Sequence, residues 1–246
     1  MDASAEPQTR RRVLRRLGIR VALGGVALIT LAIIAIGIAF PATAAITCPR
    51  CLGFEHTAGR LYIERGASAA DRATTAQAIA AGEDRVAAFY GARRSDPIIL
   101  VCVSDACYRR LGGGGSRGQA YGTTALILSP RGISTVIAAH ELSHIELHTR
   151  LGLWRTIRHA VPPWFDEGLA VVVSDDRRYL TAPGSSDRCR VGDDGATPPA
   201  DVDRFYAIAG CRVSRWMATR GDNAAAILAL IGKVASGVPF AAAAGS

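Results

Sequence analysis

Residues 138–148, AAHELSHIELH, restrict this chain more than any other stretch. His140 and His144 stand four apart, so on a helix their imidazoles leave one face, one turn from each other. That spacing can seat two nitrogens about 2.0–2.1 Å from a single Zn2+. Glu141 follows the first histidine and points slightly aside, from where it can take a proton from a water instead of ligating the metal. Ile133, Val136 and Ile137 lead along the same side, so the histidines would be polar groups on an otherwise apolar face. Such groups need a partner, and a cation supplies one. H-E-x-x-H is the signature of this arrangement.

A catalytic zinc takes three protein ligands and leaves its fourth position to water. The third ligand is not fixed by the helix. A metzincin site would need Gly at 147 and His at 150, where this chain has Leu147 and Arg150. His148 lies two turns from His140, too far along the axis to share the metal, and reads as a helix-surface residue. His159 falls in a connector. Glu167 stands early in a new helix, within PPWFDEGLA, and can return to the first helix after a short turn. Asp166 beside it is a second carboxylate that could ligate.

Ahead of the site, VALGGVALITLAIIAIGIAF (21–40) holds twenty residues without a charge, the length a helix needs to cross a bilayer. Six arginines before residue 21 put the N-terminus in the cytoplasm and all that follows outside. They also carry +4 of the net +8, once Asp2 and Glu6 are counted. The remainder is near balance and has no basic, aromatic-interleaved stripe, so nucleic acid is not an expected partner. An A-x-A pattern at 42–44 would allow signal cleavage near Ala44, and TRRRVLR (9–15) is similar to a twin-arginine signal. The run is longer than a typical signal core, which favours a retained anchor through residues 21–40. The chain's single lysine, Lys233, together with its abundant Ala and Gly, suggests a high-GC bacterial source. The expected location is thus the bacterial inner membrane, single-pass, with the domain on the extracytoplasmic side.

All six cysteines follow that run, where an oxidising compartment favours disulfides. Proximity suggests the pairs 48–51, 102–107 and 189–211. CPRC (48–51) is also compatible with a redox motif or half a zinc knuckle, but it follows the apolar run rather than a strand.

Along the rest, RLYIE (60–64) and PIILVCV (97–103) read as strands, and a helix capped by Asp71 runs to about Tyr90. LGGGGSRG (111–118) is a loop without the G-K-[ST] ending of a phosphate cradle. QAYGTTALILS (119–129) is β-rich. The histidine helix spans about 133–150, a second follows Pro162-Pro163, a polar surface loop covers 182–200, and helices near 201–219 and 222–235 complete the chain. Strands first and helices after imply an α+β class. The division expected is a cytoplasmic basic segment 1–20, a membrane span 21–40, a linker 41–59 and one domain over 60–246.

HELSH followed by PPWFDEGLA resembles the gluzincin metallopeptidases, most closely the peptidase MA-like domains of bacterial exported proteins. Their pattern is H-E-x-x-H, roughly twenty residues, then W-x-x-E-G-x-A; here 22 residues separate His144 from Glu167. The resemblance implies a zincin-like domain, with a small mixed sheet over an active-site helix and a helical C-terminal part. It further implies Zn2+ held by His140, His144 and Glu167, with Glu141 as the general base of peptide hydrolysis on a peptide or protein substrate. QAYGTTALILS would be the edge strand lining the cleft. Thermolysin-like members place an Asp four residues after the ligand Glu to orient a histidine; that position is Val171 here, with Ser174 or Asp175 as possible substitutes. Tyr179, Tyr206 and His159 are candidates for stabilising the oxyanion. The competing reading is a catalytically inactive zinc-binding domain that recruits an envelope partner, and behind it a metal-free interaction domain. None of these patterns encodes an oligomeric state.

Overall fold

A computed structural model describes residues 39–185, 187–191, 201–221 and 224–245, with isolated positions between 23 and 37. From Pro41 onward the described residues form helix α1 (Pro41–Thr47), a 3-10 turn (Pro49–Leu52) and strands β1 (Phe54–Ala58) and β2 (Leu61–Glu64). Helix α2 (Ala69–Tyr90) follows, then β3 (Ile98–Val101), α3 (Asp105–Arg110), β4 (Gly118–Tyr121) and β5 (Ala125–Leu128). The helical part comprises α4 (Thr135–Leu151), α5 (Leu153–Ile157), α6 (Pro163–Ser174), α7 (Val202–Ala218), α8 (Ala224–Ser236) and α9 (Phe240–Ala244).

Five strands form one sheet in the order β1-β2-β3-β5-β4. The outer pairs are antiparallel, while β2–β3 and β3–β5 are parallel. Parallel neighbours need a crossover, and α2 and α3 supply them between β2, β3 and β5. The fold is therefore mixed α/β with a small mixed sheet, which corrects the α+β expectation: strands and helices alternate through the first half. Residues 119–129 are not one strand but a hairpin turning at Gly122, with β4 on the edge and β5 inside. Residues 54–58, assigned to a linker on sequence, form the other edge.

The single transmembrane helix expected in front of the domain is likewise corrected. No helix among the described residues is long and apolar enough to cross a membrane. The longest, α2, carries Asp71, Arg72, Glu83, Asp84 and Arg85. The apolar α8 has 13 residues, about 20 Å of helix against roughly 30 Å of hydrocarbon. Most of residues 21–40 lie outside the described set.

Strand alternation sends residues to two cores. Ile63, Ile99, Val101, Leu126 and Leu128 face the larger one, shared with α2, α4 and α6. Leu100, Cys102 and Ile127 face the smaller one, closed by Ala42, Ala45, Phe54, Tyr108 and Leu111. Ser68 rather than Asp71 caps α2; Asp71 completes the capping box from the third helical position. Cysteines pair as 48–51, 102–107 and 189–211, as proximity suggested.

Candidate metal centre

Ser134 caps α4 by accepting from the Ile137 amide, and the helix then runs with no break through all three histidines. Its one face packs on α2, where Gly82 lets Ala138 approach so closely that an added Cβ would lie 2.8 Å from the Ala138 methyl. The other face turns His140 and His144 toward α6. That helix starts at Pro163, whose missing N–H costs nothing in the first turn, and presents Asp166 and Glu167 one turn in. Directly after the ligand candidate, Gly168 admits α7: a Cβ there would meet the Ala209 carbonyl oxygen at 2.2 Å.

The side chains expected to converge do so. His140 Nε2 and His144 Nε2 are 3.2 Å apart, and Glu167 Oε2 lies 3.3 Å from each. Three ligands on a tetrahedral zinc at 2.0–2.1 Å stand about 3.3–3.4 Å from one another. Both histidines are buried, yet Glu167 Oε2 makes no hydrogen bond among the described residues. A buried carboxylate oxygen facing two imidazole nitrogens without a bond is costly as it stands, and a divalent cation between the three atoms removes that cost. His140, His144 and Glu167 thus form a buried group able to hold a metal ion.

The electrostatics agree. Burial would lower the His144 pKa, but Asp166 and Glu167 raise it well above the usual imidazole value. Burial would raise that of Glu167, but His144 and His140 bring it down to about 2. A cluster that grips a proton this firmly is one that favours positive charge, and a cation can take the proton's place.

Sequence reasoning missed the support behind these side chains. Val171 is core, Ser174 Oγ bonds to its own helix at the Val171 carbonyl, and Asp175 pairs with Arg177 and Arg188. Instead His144 Nδ1 donates to Asp166 Oδ1 at 2.6 Å, so that once a cation displaced the second proton, Nε2 would be the nitrogen facing it. Asp166 is therefore engaged by His144 and lies outside the group of three that could hold a metal ion. His148, read as a surface residue, is mostly buried and donates from Nε2 to Asp166 Oδ2 at 2.9 Å. A signal was available: His148 follows His144 by four residues, so both lie on the face that meets the carboxylate preceding Glu167.

Glu141 sits at the border of two cavities, of about 440 and 250 Å3, that meet at the His140 and Tyr206 side chains. Burial pushes its pKa up; the two histidines and a hydrogen bond from Ala120 oppose, and Glu167 adds to the rise. The edge strand reaches it only because residue 118 is glycine: a Cβ there would lie 2.8 Å from Glu141 Cγ. Tyr206 packs edge-on against His140, with ring centroids 5.8 Å apart, and burial holds its phenol protonated up to about 12. Tyr179 instead donates its hydroxyl to Asp203, and His159 is exposed and lines neither of these cavities.

No family model matches the chain, and neither a curated protein nor a solved structure does.

Proposed function

We propose that the chain is a zinc-dependent metallopeptidase of the gluzincin kind, acting in an oxidising compartment. The observation that carries the reading is the three-atom cradle of His140 Nε2, His144 Nε2 and the unbonded Glu167 Oε2. Two imidazoles and a carboxylate are the donor set of catalytic zinc, and an adjoining cavity leaves room for substrate.

Zinc bound there supplies Lewis-acid polarisation of a carbonyl and makes water acidic enough to deprotonate near neutral pH. His144 is held in the ligating tautomer by Asp166, and Asp166 by His148. Glu141, its basicity raised by burial, takes the proton of the attacking water and returns it to the leaving amine. Tyr206, protonated and beside His140, is assigned the donor that stabilises charge developing on the scissile carbonyl oxygen. The β4 strand, at the edge of the sheet and adjoining Glu141, is placed to take an extended peptide by strand addition.

The test joins metal analysis to peptide-library cleavage. Glu141→Gln is expected to retain zinc and lose hydrolysis, whereas His140→Ala loses the metal. Wild-type cleavage by the Glu141→Gln protein would overturn the assignment of Glu141. Stoichiometric zinc with no cleavage of any library would favour the inactive binding domain.

A further inference from the structure

Beyond Leu23, Val26 and Phe40 of the uncharged run, exposed large apolar side chains are scattered over the described residues except at one place. Helix α5 buries none of its five residues, and Leu153, Trp154 and Ile157 are 61, 72 and 57% exposed. Their i, i+1, i+4 spacing puts them on one side of the helix. Among the described residues the Trp154 indole has no hydrogen bond and no ring partner, and Arg158, also exposed, has no ion pair. From His148 to Pro162 the chain carries Arg150, Arg155, Arg158 and two histidines, and no acid at all. Leaving three such side chains in water forfeits the burial energy that a folded chain ordinarily recovers.

We propose that α5 is a docking element for an anionic lipid surface. The chemistry commits to that occupant in two ways. Tryptophan is the side chain most suited to the headgroup boundary, where its ring is half apolar and its N–H stays wet, and flanking aliphatic residues deepen the insertion. Arg150 is neutralised by Glu146 and His148 faces Asp166, so the charge offered to negative headgroups is that of Arg155 and the exposed Arg158, on and beside α5. The helix is also anchored firmly enough to insert as a unit. Gly152 and His159, both at positive φ, bound it, and Arg155 Nε donates to the Ala235 carbonyl at 2.8 Å.

Position gives the docking a use. A cavity of about 140 Å3 is lined by both α5 (Arg155, Thr156) and the supporting pair His148 and Asp166. An inserted α5 would therefore hold the candidate metal centre beside the lipid surface, within reach of chains emerging from it. The docking itself does not rest on peptidase activity.

The test uses the full chain with Trp164→Phe and Trp216→Phe, which leaves Trp154 as the sole indole. Circular dichroism and retained metal uptake verify the fold. Vesicles contain brominated phosphatidylcholine with or without a one-quarter share of phosphatidylglycerol. Trp154 emission is expected to shift to the blue and be quenched by the brominated lipid, more strongly with phosphatidylglycerol. Arg158→Glu should weaken the lipid-concentration dependence about tenfold. Because the readout is local to residue 154, it is independent of how the uncharged run 21–40 meets the vesicle. Unquenched Trp154 on vesicle-bound protein overturns the proposal. So does Trp154 protected without lipid in a concentration-dependent manner, which would assign the face to a second copy of the chain.

Discussion

Glu146 and Glu167 are two carboxylates enclosed against the same helix, and the structure treats them oppositely. Glu146 is fully buried, with both oxygens served: Arg150 Nε and the Arg94 amide donate to one, and the Ser95 amide and hydroxyl to the other. Glu167, one face away, is given no donor at Oε2 and two imidazole nitrogens instead. The first is a charge whose counterweight is built from the protein. The second is a charge set among groups that could hold a metal ion. The pair teaches how to separate structural from functional ionisation in a chain without matched relatives: count the donors.

The difference can be broken most forcefully at the ligand. Glu167→Gln is expected to weaken zinc binding several hundredfold, since structural zinc is worth roughly 10–16 kcal/mol shared among four ligands. The metal-free variant should unfold no more easily than metal-free wild type, because the uncompensated charge has gone. Competition with a chromophoric chelator and thermal melts in a metal chelator measure the two. Equal zinc affinity would cancel the contrast.

Glu146→Gln should do the reverse, costing about 3 kcal/mol of stability with zinc affinity near wild type, since Arg150 is left buried without its partner charge. Burial would raise the Glu146 pKa, but the Ser95 hydroxyl and amide, the Arg94 amide and Arg150 hold it below the ordinary value. A depressed carboxylate stabilises the fold above its unfolded pKa of about 4.5 and ceases to do so as pH falls through the lower folded value. The wild-type stability advantage over Glu146→Gln should therefore shrink below about pH 4.5. An advantage that persists in acid would show that the charge on Glu146 is not what stabilises.

Asp166→Asn sharpens the comparison at intermediate size. Replacing the carboxylate that fixes His144 should lower zinc affinity about 10–100-fold. His148→Gln, which keeps a donor toward Asp166, should cost less than tenfold. An equal loss for the two would mean that His148 acts as more than a support for Asp166.

The site was more legible than the sheet, for a reason visible in particular residues. His140, Glu141 and His144 are related by helical pitch, so local spacing states their geometry. The Glu167 position followed from resemblance, and the side chain does meet the histidines. Asp166 and His148 escaped because their bond joins two helices. Distance from the metal dismissed His148, yet a carboxylate spans that gap. Likewise, nothing in Leu61–Glu64 or Ile98–Val101 announces that they run in the same direction; the crossover through α2 decides it. Strand β1 went unread because FEHTA has no apolar alternation, only Phe54 being buried.

Gly118 and Gly168 bear on redesign. One backs Glu141 and the other adjoins Glu167, and at either a methyl group would collide within 3 Å of its neighbours. Evolution and the protein engineer thus meet the same wall: the rear of the candidate metal centre offers no free sequence space at these two positions. Variation that reshapes the larger cavity without dismantling the domain has to be sought on its open rim, at positions such as Ser116 and Arg117.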